Sequence, residues 1–562
     1  MPDSQGPVSS AAHARANPAM PVMQLPLLDA SAARAGDEAA VAAGDTWHGL
    51  MERAAGQLAR WIVAVGGRGY GLRVALIVGK GNNGGDGWAA ARRLEREHGA
   101  QCWVVAVDGV EVTASSETTA NRAAWLRDGG RTSGGTDDLD AALAWCDVAV
   151  DCLLGTGING APRGPAGAAA EALLRARDRG THVVACDVPS GVSSDDGSAP
   201  DGSVRADLTV TFGELKRGLV LHPGAAHAGR VVIGTLGPNY HADAAGWSAL
   251  TPAGAAPPEL SIDADKRARG VVLGIAGAVG TSGAAALVAD GALRAGAGLV
   301  TVATPVPVRA EVAARADAGA MIQGVPADGR GAIAAAAVSR TDGDGLASLP
   351  SEQVAAADVV AAGPGMGVGD GASEVVAHLR RHARRLVLDA DALNVHRDDP
   401  ASLADHAGVL VLTPHERELA RIGGGDDGPQ AWQQRSRRVP ELARQLDATI
   451  VAKGPGTLVA APDGRVWVTP VGGAALGSGG TGDALTGIVA AAVARAHDVP
   501  FAVARAVWWH AAAGVRAGRV TAGRASATGL LAELPAVLGE LTTAAHSGWD
   551  PPRPGVPAWE GW

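Results

Sequence analysis

The feature that most restricts the fold is an apolar run that ends in glycine and opens onto a helix, repeated along the chain. Leu72 to Val78 (LRVALIV) leads into GKGNNGGDG, the helix-like WAAARRLEREHG and a second apolar run, CWVVAV. Strand, glycine turn, helix and strand within about 37 residues is the length of one βαβ unit. Runs of the same kind recur at 147–153 (DVAVDCL), 182–186 (HVVAC) and 208–212 (LTVTF). Strands that are apolar throughout, separated by helices, form a parallel sheet covered on both faces.

Around residues 240–260 the pattern stops, and TPAGAAPPE has the composition of a linker. A second alternation begins at GVVLGIAG (270–277) and runs through GLVTVAT, DVVAAGPG, RLVLDADAL, VLVLTPHERE and TIVAKGPGT. It ends in Ala-rich helices between about 480 and 518. The expected organisation is a disordered N-terminus (1–25), an α/β domain (26–243), a linker (244–262), a second α/β domain (263–541) and a tail (542–562). An amphipathic segment from about Ala32 to Val65 predicts one or two helices before the first sheet. With 562 residues, two doubly wound domains can each bury a core.

Composition excludes several classes. A net charge of −10 without blocks of Lys or Arg argues against nucleic-acid binding. No apolar stretch approaches the roughly 18 residues of a membrane span, and residues 1–22 lack the pattern of a secretory signal. Cys102, Cys146, Cys152 and Cys186 show no CxxC spacing and read as core thiols of a cytoplasmic protein. The 48 basic residues include only four lysines, Lys80, Lys216, Lys266 and Lys453, a bias that GC-rich codon usage explains.

In the first domain Gly79, Gly81 and Gly84 fit GxGxxG after a strand, and Asp108 ends the next strand, as in a dinucleotide fold. The loop continues as Asn82, Asn83, Gly84, Gly85 and Asp86, a polar cradle rather than the small-residue turn that a dehydrogenase uses for pyrophosphate. Asn83, Asp151 and Ser190 offer hard oxygen atoms suited to an alkali or alkaline-earth cation. The alternative is that each caps a turn. Asp187 ends another strand, where a carboxyl can move protons.

In the second domain VGGAALGSGGTGDALTGIVAA (471–491) opens a helix with Asp483 in its first turn. Backbone N–H groups and the positive helix end there face an anion beside a carboxylate. That suits phosphoryl transfer, although GxxxxGK[ST] is absent from the chain. HExxH and GxSxG are absent too, and His378 with His382 lacks a third metal ligand.

The first-domain motifs GNNGGDGWAAARRL, DCLLGTGINGAPRG, CDVPSGVSSDDG and ADLTVTFGELKRGL, with LMERAAGQLA and LLDASAA before them, resemble the NAD(P)H-hydrate epimerase domain, a Rossmann-like sandwich. The resemblance implies interconversion of the R and S hydrates of NADH or NADPH at C6. It implies hydrate bound at Asn82, Asn83, Gly84, Gly85 and Asp86 and at Gly155, Thr156, Gly157, Ile158, Asn159, Gly160 and Ala161. Potassium at Asn83, Asp151 and Ser190, and acid/base work by Asp187, are implied as well.

GTGD at 480–483 resembles the anion hole of ribokinase-like kinases. GAVGTSGAAALVADGALRAGAGLVTVAT, AAGPGMG, LDADALN, LTPHERELARI and AKGPGTLVA resemble, more narrowly, the ADP- or ATP-dependent NAD(P)H-hydrate dehydratase. The resemblance implies the S-hydrate at Gly365, His415 and Asp483, and the nucleotide at Lys453, Gly454, Pro455, Gly456, Thr457, Gly479, Gly480 and Gly482. Asp483 would be the catalytic base, with Mg2+ bridging the phosphates of ADP. The likeness spans about residues 25–540, with two departures. GGAA (472–475) stands where the pattern has an Asn, and residues 317–350 match poorly. A bifunctional cofactor-repair enzyme is therefore expected, acting on NAD(P)H hydrate and ADP, with no nucleic-acid or membrane partner and with scope for a homo-oligomer. The alternatives are a ribokinase-like small-molecule kinase with a non-catalytic N-terminal binding domain, and an NAD-dependent dehydrogenase.

Overall fold

A computed structural model describes residues 23–157, 160–338, 348–423 and 434–546. Ile158 and Asn159 lie outside the described residues, as do 1–22 and 547–562 of the expected terminal segments and 339–347 of the divergent stretch.

The first sheet has seven parallel strands in the spatial order Thr132–Gly134, Gln101–Ala106, Arg73–Val78, Val148–Cys152, His182–Cys186, Leu208–Phe212 and Arg230–Gly234. Alternate residues of Arg73–Val78 feed two layers, as the period of a strand requires. Val74, Leu76 and Val78 meet helices Trp47–Gly66 and Asn82–His98. Ala75 and Ile77 meet helices Leu139–Trp145 and Gly164–Asp178. The helix Asn82–His98 starts straight from the glycine loop. A Cβ on Gly84 would stand 1.9 Å from the carbonyl oxygen of Gly79, so glycine is required there by contact.

The second sheet has twelve strands. Seven are parallel, ordered Met321–Val325, Leu299–Pro305, Val271–Ile275, Val359–Ala362, Arg385–Leu388, Val409–Leu412 and Ala448–Ala452. Leu458–Ala460 and Val466–Val468 follow as antiparallel strands. Met321–Val325 falls in the divergent stretch and carries only one buried residue, which is why its apolar signal is weak. Helix Thr481–Ala494 presses against helix Ser282–Arg294, backbone to backbone. A Cβ on Gly487 would come 2.2 Å from the Val288 carbonyl oxygen, and one on Gly291 would come 2.5 Å from that of Ala484.

Two expectations of organisation are corrected. The segment expected to be a linker contains strand Trp247–Leu250, which pairs in parallel with Val466–Val468. The short helix Pro252–Ala255 follows, fully packed, and its carbonyls accept from Arg505 and from the indole of Trp509. Its small residues serve contact and not flexibility: a Cβ on Gly254 would fall 1.8 Å from the carbonyl oxygen of Met23. Order also begins earlier than residue 26. Gln24–Leu28 is a strand antiparallel to Trp247–Leu250, and its Leu27 and Leu28 pair with Leu215 and Lys216. The larger sheet thus ends in strands from the first unit, and Leu27, Leu215 and Leu221 share one core cluster with Leu273, Leu388 and Ile450.

Candidate active sites

A cleft of about 1190 Å3 opens at the carboxyl ends of the first sheet. Asn82, Asn83, Asp86, Gly155, Thr156, Gly157 and Asp187 line it, joined by Asp37, Lys216 and Tyr240. Gly84, Gly85, Gly160 and Ala161 are not among its lining residues.

Asp187 directly follows strand His182–Cys186 and turns into the left-handed region at φ 64°, a conformation that Asp tolerates better than most residues. Its Oδ1 accepts from Thr211 Oγ1 at 3.0 Å and from the Phe212 amide at 3.3 Å, and pairs with Lys216 Nζ at 2.8 Å. Lys216, only 2% exposed, also donates to the Phe212 carbonyl at 2.6 Å. A buried ammonium is stable only with such partners. Three further acids stand near this pair. Burial pushes Asp37 up to about 6, against the pull of Lys216, and pushes Glu214 up to about 7. Burial together with the charges of Asp187 and Asp37 moves Asp86 in the same direction.

The three cation-ligand candidates are brought together. Ser190 Oγ donates to Asp151 Oδ1 at 2.6 Å, the Ser190 amide donates to Asp151 Oδ2 at 2.8 Å, and Asn83 Nδ2 donates to the Leu154 carbonyl at 2.8 Å. Asn83 Oδ1 is buried without a hydrogen-bond partner among the described residues. An orphaned carbonyl oxygen beside a buried carboxylate and a serine is a donor set that fits a hard monovalent cation. Among the described residues no three His, Cys, Asp or Glu side chains cluster to hold a metal, and the rings of His378 and His382 meet tilted at 48° with centroids 4.5 Å apart.

In the second unit Gly480 takes φ 84° immediately before helix Thr481–Ala494, whose first turn carries Asp483. Asp483 has no hydrogen bond or ion pair among the described residues, and burial with the nearby charge of Asp389 pushes it up to about 6. Lys453 does not answer Asp483 directly. Its Nζ pairs with Asp389 Oδ1 at 2.7 Å, while Thr486 Oγ1 donates to Asp389 Oδ2 at 2.7 Å. The ammonium still stands close to the helix start, 3.5 Å from where a Cβ on Gly482 would be. His415 caps helix Glu416–Ile422 through Nδ1, and burial and Lys453 hold its pKa below the ordinary histidine value. The Gly365 carbonyl accepts from Thr281 Oγ1 at 2.7 Å. In the loop Lys453–Thr457, the Pro455 carbonyl accepts from Arg435 at 2.6 Å, and a Cβ on Gly456 would stand 2.7 Å from the Val220 carbonyl oxygen of the first unit. Gly479 adjoins Gly480 at the same helix start.

Sequence reasoning missed Lys216, Asp37, Asp389 and Thr486. One signal was available for the lysine. In a chain that uses Arg almost everywhere, Lys216 and Lys453 each sit against an aspartate, whereas Lys80 and Lys266 are exposed. A compact ammonium fits such a place where a guanidinium does not.

Residues 272–535 match the family model described as NAD(P)H-hydrate dehydratase, and residues 47–218 match the one described as YjeF-related protein N-terminus. A protein of Moorella thermoacetica named bifunctional NAD(P)H-hydrate repair enzyme Nnr is 34% identical over 488 residues, 84% of this chain and 88% of its own length. One of the same name from Pyrobaculum aerophilum is 35% identical over 490 residues, 83% of this chain and 89% of its own. A solved structure, the ADP/ATP-dependent NAD(P)H-hydrate dehydratase of Bacillus subtilis co-crystallised with ATP/Mg2+, is 28% identical, with a TM-score of 0.43 over 53% of this chain and 98% of its own.

Proposed function

The chain belongs to the family of bifunctional NAD(P)H-hydrate repair enzymes, and from that membership we propose how its two units divide the work. It is an epimerase and a dehydratase in one chain. The first unit interconverts the R and S hydrates at C6, and the second returns the S-hydrate to NAD(P)H. The observation that carries the reading is the presence, on one chain, of two runs of seven parallel strands that each present a carboxylate, Asp187 and Asp483, at the rim where strand carboxyl ends open.

In the first unit the hydrate lies in the cleft against Asn82, Asn83, Asp86 and Gly155 to Gly157, with Asp187 moving a proton at the C6 hydroxyl. Asn83, Asp151 and Ser190 would hold potassium, which steadies the two loops and offsets the pyrophosphate charge.

In the second unit Asp483 takes the proton of the C6 hydroxyl of the S-hydrate. Its pKa near 6 makes it a stronger base than an ordinary carboxylate and still ionised at neutral pH. The oxygen attacks the terminal phosphorus of ADP, the bond to the α-phosphate oxygen breaks, and AMP departs. The C6–O bond then breaks with the electron pair on phosphate, a proton leaves C5, and the C5=C6 double bond returns. Gly479, Gly480 and Gly482 offer backbone N–H groups to the moving phosphoryl group, and Lys453 offers charge from one side. The donor set does not favour a protein-held magnesium site, since the charge of Asp389 is already answered by the ammonium of Lys453. Magnesium would ride on the nucleotide phosphates.

The test is to incubate the chain with mixed R and S NADH hydrate, K+, Mg2+ and either ADP or ATP, and to follow the regained near-ultraviolet absorbance of the reduced nicotinamide. Complete recovery is expected. Recovery that stops at half would remove the epimerase assignment, and no recovery would remove the dehydratase assignment.

A further inference from the structure

We propose that Asp37 is the second proton-transferring group of the epimerase site, facing the hydrate from the helix wall of the cleft while Asp187 faces it from the sheet rim. The proposal rests on the epimerase reading of the first unit.

Inversion at C6 demands two groups. Departure of the hydroxyl from one face needs an acid there, and return of water on the other face needs a base there. Asp187 cannot serve both, because Thr211 Oγ1, the Phe212 amide and Lys216 Nζ all converge on its Oδ1 and fix the carboxylate in place. The second group must line the same cleft, be free to bond substrate and be firmly positioned.

Asp37 meets each condition. It lines the cleft with Asp187 and Lys216, and it has no hydrogen bond or ion pair among the described residues. Its helix, Ala30–Ala42, is anchored at the start. Asp29 caps it at Ala32 N, Arg217 pairs with Asp29 at 2.9 Å, and the Ala30 amide donates to Asp195 at 2.7 Å. One residue before Asp37 the helix lies against Tyr240, since a Cβ on Gly36 would be 2.9 Å from its ring.

The charged and titratable groups around Asp37 come from every neighbouring element. Glu38 and Arg34 lie on its own helix and pair with each other, Asp86 stands on the helix after the glycine loop, Asp187 on the sheet rim, Lys216 on the short strand Leu215–Lys216, and Tyr240 against its own helix at Gly36. Burial among these acids leaves Asp37 close to half-protonated at about pH 6, ready to act in either direction.

A protonated carboxyl on one side gives its proton to the C6 hydroxyl. The C6–O bond breaks with its electron pair on oxygen, water leaves, and the N1 lone pair forms a C6=N1 iminium. Water adds from the opposite face, gives a proton to the carboxylate there, and the electron pair returns to N1. One proton has passed from one carboxyl to the other, and exchange with solvent at the open cleft resets the pair.

The experiment measures R-to-S interconversion by Asp37→Asn and Asp37→Glu chains in heavy-oxygen water, with dehydration of pure S-hydrate and thermal melting as checks on folding. Asp37→Asn is expected to lower kcat for epimerisation about 100-fold with KM within about threefold, and to remove the pH limb near 6. Asp37→Glu should restore a substantial part of the rate, and the native chain should carry label into the C6 hydroxyl at each inversion. Asp37→Asn activity within about threefold of native, a loss confined to KM, an unchanged pH profile, or inversion without label would each overturn the proposal. A native chain that dehydrates S-hydrate but never interconverts the epimers would instead sink the epimerase reading itself.

Discussion

Each unit sets a lysine against a buried or half-buried aspartate at the rim of a parallel sheet, yet the two lysines hold different acids. In the first unit Lys216 pairs with Asp187, the candidate catalytic group, at 2.8 Å. In the second, Lys453 pairs at 2.7 Å with Asp389, a neighbour, and leaves Asp483 without a cation of its own. The difference matches the two chemistries. Passing a proton to and from the oxygen on a hemiaminal carbon needs a carboxylate whose position is fixed. Deprotonating a hydroxyl so that it can attack phosphorus needs a carboxylate of raised basicity, and burial beside the charge of Asp389 supplies it.

The sharpest break of this contrast is Asp483→Asn. It should lower ADP-dependent dehydration about 1,000-fold or more while epimerisation stays native, measured on separated R and S hydrates. Asp187→Asn, and Lys216→Met with it, should reverse the pattern, with epimerisation down about 100-fold and dehydration of pure S-hydrate intact. Loss of both activities in either variant would mean that the units do not act separately.

Smaller effects sharpen the picture. Gly487→Ala forces a methyl into the Val288 carbonyl where the Asp483 helix crosses its neighbour, and should destabilise the chain by about 1–3 kcal/mol in denaturant unfolding. Asp483→Asn should have the opposite sign on stability. A carboxyl pushed up to about 6 in the folded state penalises folding once it ionises, so the penalty is complete above that pH and vanishes below its unfolded pKa near 3.8. The variant should gain about 1–2 kcal/mol at about pH 8 and nothing at about pH 3.5. Finally, Asp389→Asn removes the negative charge that raises Asp483 and frees Lys453 to lower it, so the acid limb of dehydration should move down by about one pH unit. An unmoved limb would assign that pH dependence to another group.

Much of the fold was legible because buried parallel strands are apolar throughout. The runs at 182–186 and 208–212 coincide with strands His182–Cys186 and Leu208–Phe212, and the segment Ala32 to Val65 resolves into helices Ala30–Ala42 and Trp47–Gly66. What escaped were strands whose partners are distant. Gln24–Leu28 and Trp247–Leu250 are short, and nothing local marks them as neighbours across more than 200 residues. Residues 252–255 read as flexible because small side chains suit both a loose linker and a tight contact. Ile158 and Asn159, expected at the hydrate site, lie outside the described residues.

Glycine placement, strand apolarity and motif spacing, all local properties of the chain, determined two doubly wound units with a carboxylate at each rim. Which groups surround those carboxylates was decided only in three dimensions. Lys216 reaches Asp187 from 29 positions along the chain and Lys453 reaches Asp389 from 64, and the choice between a paired and an unpaired acid depends on the burial and distance that folding creates. The same holds for the shared core, where strands from both ends of the first unit complete the sheet of the second because an exposed edge and an unpaired strand both gain by meeting.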